Sequence, residues 1–478
     1  MTTTLAAVDL GATSGRVVLG HLDRADFRMH IAARFPNTPV RTPDGLHWNI
    51  LELYRSVLAG LTGALREHEV ASIGIDSWAV DYALVRGGRM LGVPFHYRDE
   101  RTERGVELVH AKVGAEELYR ESGLQHLPFN TVFQLAAEQA DAGELDPRDR
   151  MLMIPDLLAY WLTGEQGVER TNASTTGLLS VTSGGWNSSL IELLGYPREL
   201  FPRLVDPGAT IGTLLPSVAT ELGARSAIPV TAVGSHDTAS AVVAVPAASA
   251  DYAYISCGTW GLVGVELERP VVTDAGRAAN FTNEGGVDGR IRYLHNVMGL
   301  WLLTESVREW ERDGSEIHLP SLLEAAAAVT GEIPTFDAND TEFLAPGRMA
   351  TRIVEHCCAR GIRVSVDDRA FLARVIVESL AEAFARAVHQ ASELSGHPVS
   401  TVHIVGGGSQ NALLCQAIAD RVGLPVLAGP VEATAMGNLL VQARAVGALS
   451  GDLESLRAVV RSVVAPVAYA PRTLAQRG

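Results

Sequence analysis

The stretch "LAAVDLGATSGRVVLGHL", residues 5–22, decides the fold. Two apolar, strand-like runs flank a turn of Gly, Thr and Ser, the signature of a β-hairpin. A third strand-like run, "FRMHIAARF" (27–35), follows it. Residues 49–68 then carry apolar positions at helical spacing. "VASIGIDSWAV" (70–80) returns to strand and is expected to end in a loop around Asp76 and Trp78. A strand meander before the first helix is unlike a Rossmann unit, where a single strand leads into the glycine loop.

Further along, the pattern recurs. "AYISCGTWGLVGVEL" (253–267) is again strand, Gly/Thr turn, strand. After a long amphipathic helix at 373–394 come strand "TVHIV" (401–405), turn "GGGSQN" (406–411) and helix "ALLCQAIADRV" (412–422). Strand "LPVLAG" (424–429) and helix "EATAMGNLLVQARAV" (432–446) complete the series. A hairpin opening each half predicts two related α/β domains, 1–244 and 245–478, divided at the small-residue stretch "VPAASAD" (245–251).

The chain has 478 residues, more than one hydrophobic core serves. Its hydrophobic content of 47% and charged content of 20% describe a folded protein. A net charge of −16 repels nucleic acid and anionic membrane, so neither is an expected partner. It repels nucleotides too, so any phosphate site must be built locally. The four cysteines, Cys257, Cys357, Cys358 and Cys415, form no CxxC or zinc signature and read as buried thiols in a reducing compartment. The N-terminus lacks the basic and long apolar regions of a signal peptide, and no apolar segment reaches membrane-spanning length. A cytoplasmic location is expected. Lys112 is the only lysine, and it follows Ala111 rather than glycine. Both a P-loop and the lysine element of protein kinases are therefore absent.

Four motifs can carry chemistry. In Asp9–Arg16 ("DLGATSGR"), a turn of Gly11, Thr13, Ser14 and Gly15 can aim N–H groups and hydroxyls at an oxyanion, with Arg16 adding charge. Asp9, ending a buried strand, can hold Mg²⁺. The same turn can equally satisfy only its own backbone. In "CGTWG" (257–261), Thr259 supplies a hydroxyl while Gly258 and Gly261 permit close approach. "VGGGSQN" (405–411) joins a strand to a helix without GxGxxG spacing, and reads as an adenosine shelf or a helix-capping loop.

The fourth motif is His236–Asp237 in "VGSHDTASAVVAV" (233–245), two ionisable residues in a small, apolar run. A hydrolase triad needs a serine elbow, and the nearest approach, "GGGSQN", lacks its second glycine. No HxH or HExxH supplies further metal ligands. What remains is a buried structural pair or a carboxylate base beside a hydroxyl nucleophile. "YRDERT" (97–102) reads as a solvated charge run.

Taken together, "DLGATSGR", "GIDSWAVDY", "FNTVFQL", "TNASTTGLL", "GSHDTASAV", "CGTWGL", "NEGG…HNVMGLWLL" and "IVGGGSQN" resemble the FGGY carbohydrate kinases, in collinear order from about residue 5 to about residue 445. The resemblance implies two actin-like ATPase (ribonuclease H-like) domains with an interdomain cleft for ketose and ATP. The N-terminal domain would be the sugar and phosphate side, and the C-terminal domain the nucleotide side. It implies that Ala12, Thr13, Ser14, Gly15 and Arg16 contact the ATP phosphates, joined by Thr259, and that Gly407 lies under the adenosine. Asp237 would be the catalytic base, with His236, Thr238 and Asn296 on the sugar and Asp9 positioning Mg²⁺. The nearest branch acts on L-rhamnulose at O1; other ketoses or polyols (L-fuculose, L-xylulose, glycerol) and an actin- or chaperone-like ATPase are the alternatives. A monomer or homodimer is expected. Two positions depart from the family pattern: Ala79 replaces the usual glycine of Trp-Gly-Val-Asp in the sugar loop, and Thr304 replaces a nucleotide-contacting glutamine.

Overall fold

The computed structural model describes residues 2–23 and 26–472. It divides into two compact units. The first takes the chain up to Ala244, then Glu266–Tyr293 and Ala433–Val463; the second takes Val245–Val265, Leu294–Glu432 and the chain from Val464 onward.

In the first unit, the opening hairpin forms as its pattern requires. β1 (Thr3–Leu10) pairs antiparallel with β2 (Ser14–Asp23), which pairs antiparallel with β3 (Asp26–Pro36). Leu5, Ala6, Ala7, Val8 and Leu10 of β1 are all fully buried, so the strand is apolar on both faces, as in a central strand covered by helices. α1 (Ile50–Glu67) buries Ile50, Leu53, Val57, Leu61, Ala64 and Leu65, the i, i+3/i+4 stripe that packs on β2 and β3. The strand Val70–Ser77 then runs parallel to β1, with Pro229–Thr231 parallel beyond it and Thr210–Thr213 antiparallel at the edge. This six-stranded mixed sheet has the helix Ala433–Ala445 lying on β1 and Val70–Ser77.

The second unit repeats the plan. Tyr252–Cys257 and Trp260–Leu267 form the antiparallel hairpin. Thr401–Val405 runs parallel to the hairpin's first strand, Val426–Ala428 runs parallel next to it, and Val467–Tyr469 closes the edge antiparallel. Ile291–Met298 lies beside the hairpin's second strand, where β3 lies in the first sheet. The two sheets agree over their four central positions and diverge at the edge. There, the antiparallel strand precedes its neighbour in the first unit and follows it in the second.

The hairpins share a packing detail as well. A Cβ on Gly15 would fall 2.2 Å from the Phe35 ring, and one on Gly261 would fall 2.4 Å from the Phe384 ring. Each returning strand thus has as its second residue a glycine beneath an aromatic of its own unit.

Two sequence expectations are revised. Asp76 is not in a loop; the strand continues through Ser77 and buries it. "YRDERT" is not a solvated run, because Tyr97, Asp99 and Thr102 are buried. Asp99 accepts from the Leu46 and Arg101 N–H groups, and Arg101 lies over the Phe95 ring with its guanidinium on Glu138. The segment braces the first unit. Of the cysteines, Cys257, Cys357 and Cys415 are buried and Cys358 is exposed. No helix of the described residues is long and apolar enough to cross a membrane.

Candidate active site

Three carboxylates of the first unit converge where parallel strands end. Asp9 and Asp76 are register partners on β1 and Val70–Ser77. The next step in the chain brings the third, since the Ser77 N–H donates to the Ser235 carbonyl and Ser77 bridges to His236. Asp237 opens the short helix Asp237–Val243, with His236 as its N-cap residue.

Each carboxylate has a different setting. Asp9 accepts from Arg16 Nε at 2.8 Å, a cross-strand pair within the hairpin. Asp76 is fully buried, and Asn438 Nδ2 donates to its Oδ2 at 2.5 Å. Gln442 holds that amide in turn, donating from Nε2 to Asn438 Oδ1 at 2.6 Å and to the Ala6 carbonyl at 3.0 Å. Burial drives the Asp76 carboxyl well above the usual carboxylate range, with the Asp9 charge second; the Asn438 amide opposes them. Asp237 is the most open of the three, with its side chain 32% exposed.

The residues around Asp237 are fixed from beneath. Glu169, buried, accepts from the Thr171 and Ser235 N–H groups and from both hydroxyls. The His236 N–H donates to Thr171 Oγ1 at 3.2 Å. This is why "TNAST" and "GSHDT" occur together: one carboxylate ties them. On the imidazole side, Arg292 Nη2 lies 3.0 Å from His236 Nδ1 and 3.2 Å from Glu284 Oε2, and that carboxylate oxygen is itself 3.3 Å from Nδ1. The Arg292–Glu284 pair thus brackets this edge of the ring. His236 Nε2 lies 3.5 Å from Asp237 Oδ1, and the Thr238 hydroxyl donates to that oxygen at 3.1 Å.

The loop bearing Ala79 is held under strain. The Asp81 N–H donates to the Ala79 carbonyl, a γ-turn centred on Val80 at φ 65°. A β-branched residue at positive φ costs energy that neighbours must offset. Thr131 Oγ1 donates to the Val80 carbonyl at 2.6 Å, while Asp81 accepts from Trp48, Trp78, Gln134 and the Tyr97 N–H. Burial nevertheless raises the Asp81 carboxyl to about 6, against those four donors. Thr131 and Gln134 belong to "FNTVFQL", so that motif supports this loop. Ala79 itself is half-buried.

The phosphate-type turn is braced in the same way. The Gly11 N–H donates to the Ser14 carbonyl, and Asn37 donates to the carbonyls of Thr13 and Gly11. With those carbonyls tied back, the edge is rich in donors, as an anion site requires. Ala12 and Ser14 are half-buried, Thr13 is exposed and Gly15 is buried.

In the second unit, Thr259 is half-buried at the hairpin tip, its carbonyl accepting from the Trp301 N–H, while Gly258 accepts from Leu300. Thr304 is exposed in the first turn of the helix Trp301–Arg312, and Asn296 is half-buried on Ile291–Met298. The glycine triplet abuts the same hairpin. Gly406 has φ 81° and a Cβ there would meet the Cys257 carbonyl at 2.9 Å; one on Gly408 would meet Cys257 Sγ at 2.3 Å. A Cβ on Gly407 would meet nothing within 4 Å beyond its chain neighbours among the described residues, and the residue is exposed. Packing explains the outer two glycines and leaves the middle one open to a ligand. Burial pushes the Cys415 thiol up to about 12, so it is no nucleophile.

Family models match both halves of the chain: the FGGY family of carbohydrate kinases, N-terminal domain, over residues 4–244, and its C-terminal domain over 253–446. The chain belongs to the FGGY family of carbohydrate kinases. It is 43% identical to the rhamnulokinase of Pectobacterium carotovorum, over 98% of this chain and 93% of that protein. It is 39% identical to the rhamnulokinase of Bacteroides thetaiotaomicron, over 98% and 96%. Among solved structures, a ligand-bound xylulose kinase from Lactobacillus acidophilus has TM-score 0.78 at 16% identity, covering 98% of this chain and 94% of that one. Plasmodium falciparum glycerol kinase with ADP gives 0.75 at 14%, covering 99% and 95%. The FGGY fold, two actin-like α/β domains, accounts for the repeated sheet. As an FGGY member, the chain is an ATP-dependent sugar kinase.

Sequence reading missed Asp76, Asn438, Glu284 and Arg292. Asp76 left a signal, a carboxylate inside the apolar run "ASIGID", parallel in pattern to Asp9 in "LAAVD". Glu284 lies in the quoted block "NEGG" without a role of its own, and Asn438 and Arg292 left no signal, because their contacts to Asp76 and His236 are distant in sequence.

Proposed function

We propose that this FGGY kinase phosphorylates L-rhamnulose at O1, with ATP as donor and Asp237 as general base. The observation that carries the reading is the identity of about 40% to rhamnulokinases across nearly their whole length. Asp237 suits the role, being a partly exposed carboxylate whose Oδ1 already accepts from Thr238. It takes the proton of the attacking hydroxyl, while His236 contacts the sugar, joined by Thr238, Ala79 and Asn296. Ala12, Thr13, Ser14, Gly15, Arg16 and Thr259 hold the phosphates, Gly407 lies against the adenosine, and Thr304 stands at a nucleotide-contact position. The first domain serves sugar and phosphate and the second the nucleotide.

A divalent cation, Mg²⁺, fits the oxygen donors of Asp9 and Asp76; Asp76 Oδ1 is buried without a hydrogen-bond partner among the described residues. When bound, it neutralises charge on the transferring phosphoryl group. Positioning supplies most of the remaining rate. The enzyme acts in the cytoplasm as a monomer or homodimer.

Gly407→Ala is expected to raise the KM for ATP several-fold at unchanged Tm. Gly408→Ala is expected to destabilise the fold by about 1–3 kcal/mol, because its Cβ meets Cys257. Equal thermal shifts in the two variants would remove the distinction.

The substrate is tested by ADP release over a panel of L-rhamnulose, L-fuculose, L-xylulose and glycerol. The highest kcat/KM is expected for L-rhamnulose. A higher value for another acceptor transfers the reading to that sugar and makes Ala79 the first residue to change.

A further inference from the structure

Three histidines unused by phosphoryl transfer meet at the far end of the first sheet. His30 on β3 and His21 on β2 share a face, since His30 pairs with Leu19, two residues before His21. α1 covers that region, and its C-cap residue is His68. Ring centroids are 5.2 Å apart for His21–His30, 5.0 Å for His21–His68 and 5.9 Å for His30–His68. One ring nitrogen from each lies within 4.8 Å of the others.

We propose that His21, His30 and His68 form a binding site for a divalent transition-metal ion, Zn²⁺, completed by water. Tetrahedral coordination with metal–nitrogen bonds of about 2.0–2.1 Å needs nitrogens roughly 3.3 Å apart. Modest rotation of the half-buried His21 and His68 and the exposed His30 brings them there. His21 has the outer partner that ligating imidazoles use: its Nδ1 is 3.0 Å from Thr4 Oγ1, which leaves Nε2 as the ligand. The C-terminal carbonyls of α1 favour a cation beside His68. An all-imidazole set selects Zn²⁺ over Mg²⁺, which takes oxygen ligands, so the site is chemically separate from the one proposed at Asp9 and Asp76. Its effect is to staple the end of α1 to β2 and β3.

The test is calorimetric titration of EDTA-stripped, desalted full-length protein with ZnCl₂, alongside Co²⁺ absorption spectra. Wild type, His30→Gln, His68→Gln and the double variant are compared, with metal-free Tm read for each. One Zn²⁺ per chain is expected, unaffected by excess Mg²⁺, weakened about 10–100-fold in each single variant and lost in the double one. Co²⁺ should give the intense visible bands of tetrahedral coordination in wild type only. Absence of saturable Zn²⁺ binding in wild type overturns the proposal. So does unchanged binding in the double variant, which would move the ion to Asp340, Glu342 and His356, the other cluster of this kind among the described residues. Because His30 is exposed, its variant stays informative even if the His68 variant folds poorly.

Discussion

Asp237→Asn is expected to lower kcat by about 10²–10⁴-fold, the usual worth of a general base, and to leave ATP binding within about twofold. The amide preserves the size of the side chain and the oxygen that Thr238 donates to, but it cannot accept the hydroxyl proton. The fold should not suffer, since the side chain is one-third exposed and the helix behind it buries Thr238, Ala239, Ser240 and Ala241 independently. Fluorescence titration with a nucleotide analogue and steady-state ADP release separate the two effects. Near-normal turnover in a folded variant would remove Asp237 from the base role.

Asp76→Asn is expected to act in opposite directions on stability and rate. Its carboxyl is buried beside Asp9 and close enough to Asp237 for both charges to raise its pKa. Ionising it in place works against burial and like charge, so a neutral amide of the same size should raise Tm by about 1–3 °C. The Asn438 amide keeps an oxygen to donate to. The same change removes one of two carboxylates proposed for the cation, and kcat should fall by about 10²-fold with a raised requirement for Mg²⁺. Thermal melts and a Mg²⁺ titration of turnover check both halves. A variant that is more stable and equally active would make Asp76 purely structural.

How far the sequence carried the reading follows from the range of the interactions involved. Each hairpin is local: an apolar run, a Gly/Thr turn and a second run sit within about twenty residues, so both were legible, and their recurrence indicated the duplication. His236 and Asp237 stood out because charge is rare in an apolar run. From sequence Asp76 reads as a loop residue, because its burial depends on parallel pairing with β1 and on Asn438, 362 residues away in the chain. Val80 illustrates a harder case. A β-branched residue favours strand, yet it centres a γ-turn because Thr131 and Gln134 hold its carbonyl. "YRDERT" has the composition of a surface run, and only the Leu46 N–H and the Phe95 ring, both outside the run itself, reveal it as a brace. Local chemistry was readable; the tertiary contacts that tune it were not.

The measurement closest to the central claim is the ³¹P and ¹³C NMR spectrum of the product formed from ATP and L-rhamnulose. The expected result is one equivalent each of ADP and a phosphomonoester at C1 of the ketose, with no ADP formed when the sugar is withheld. ADP and inorganic phosphate appearing at the same rate with or without L-rhamnulose would contradict it.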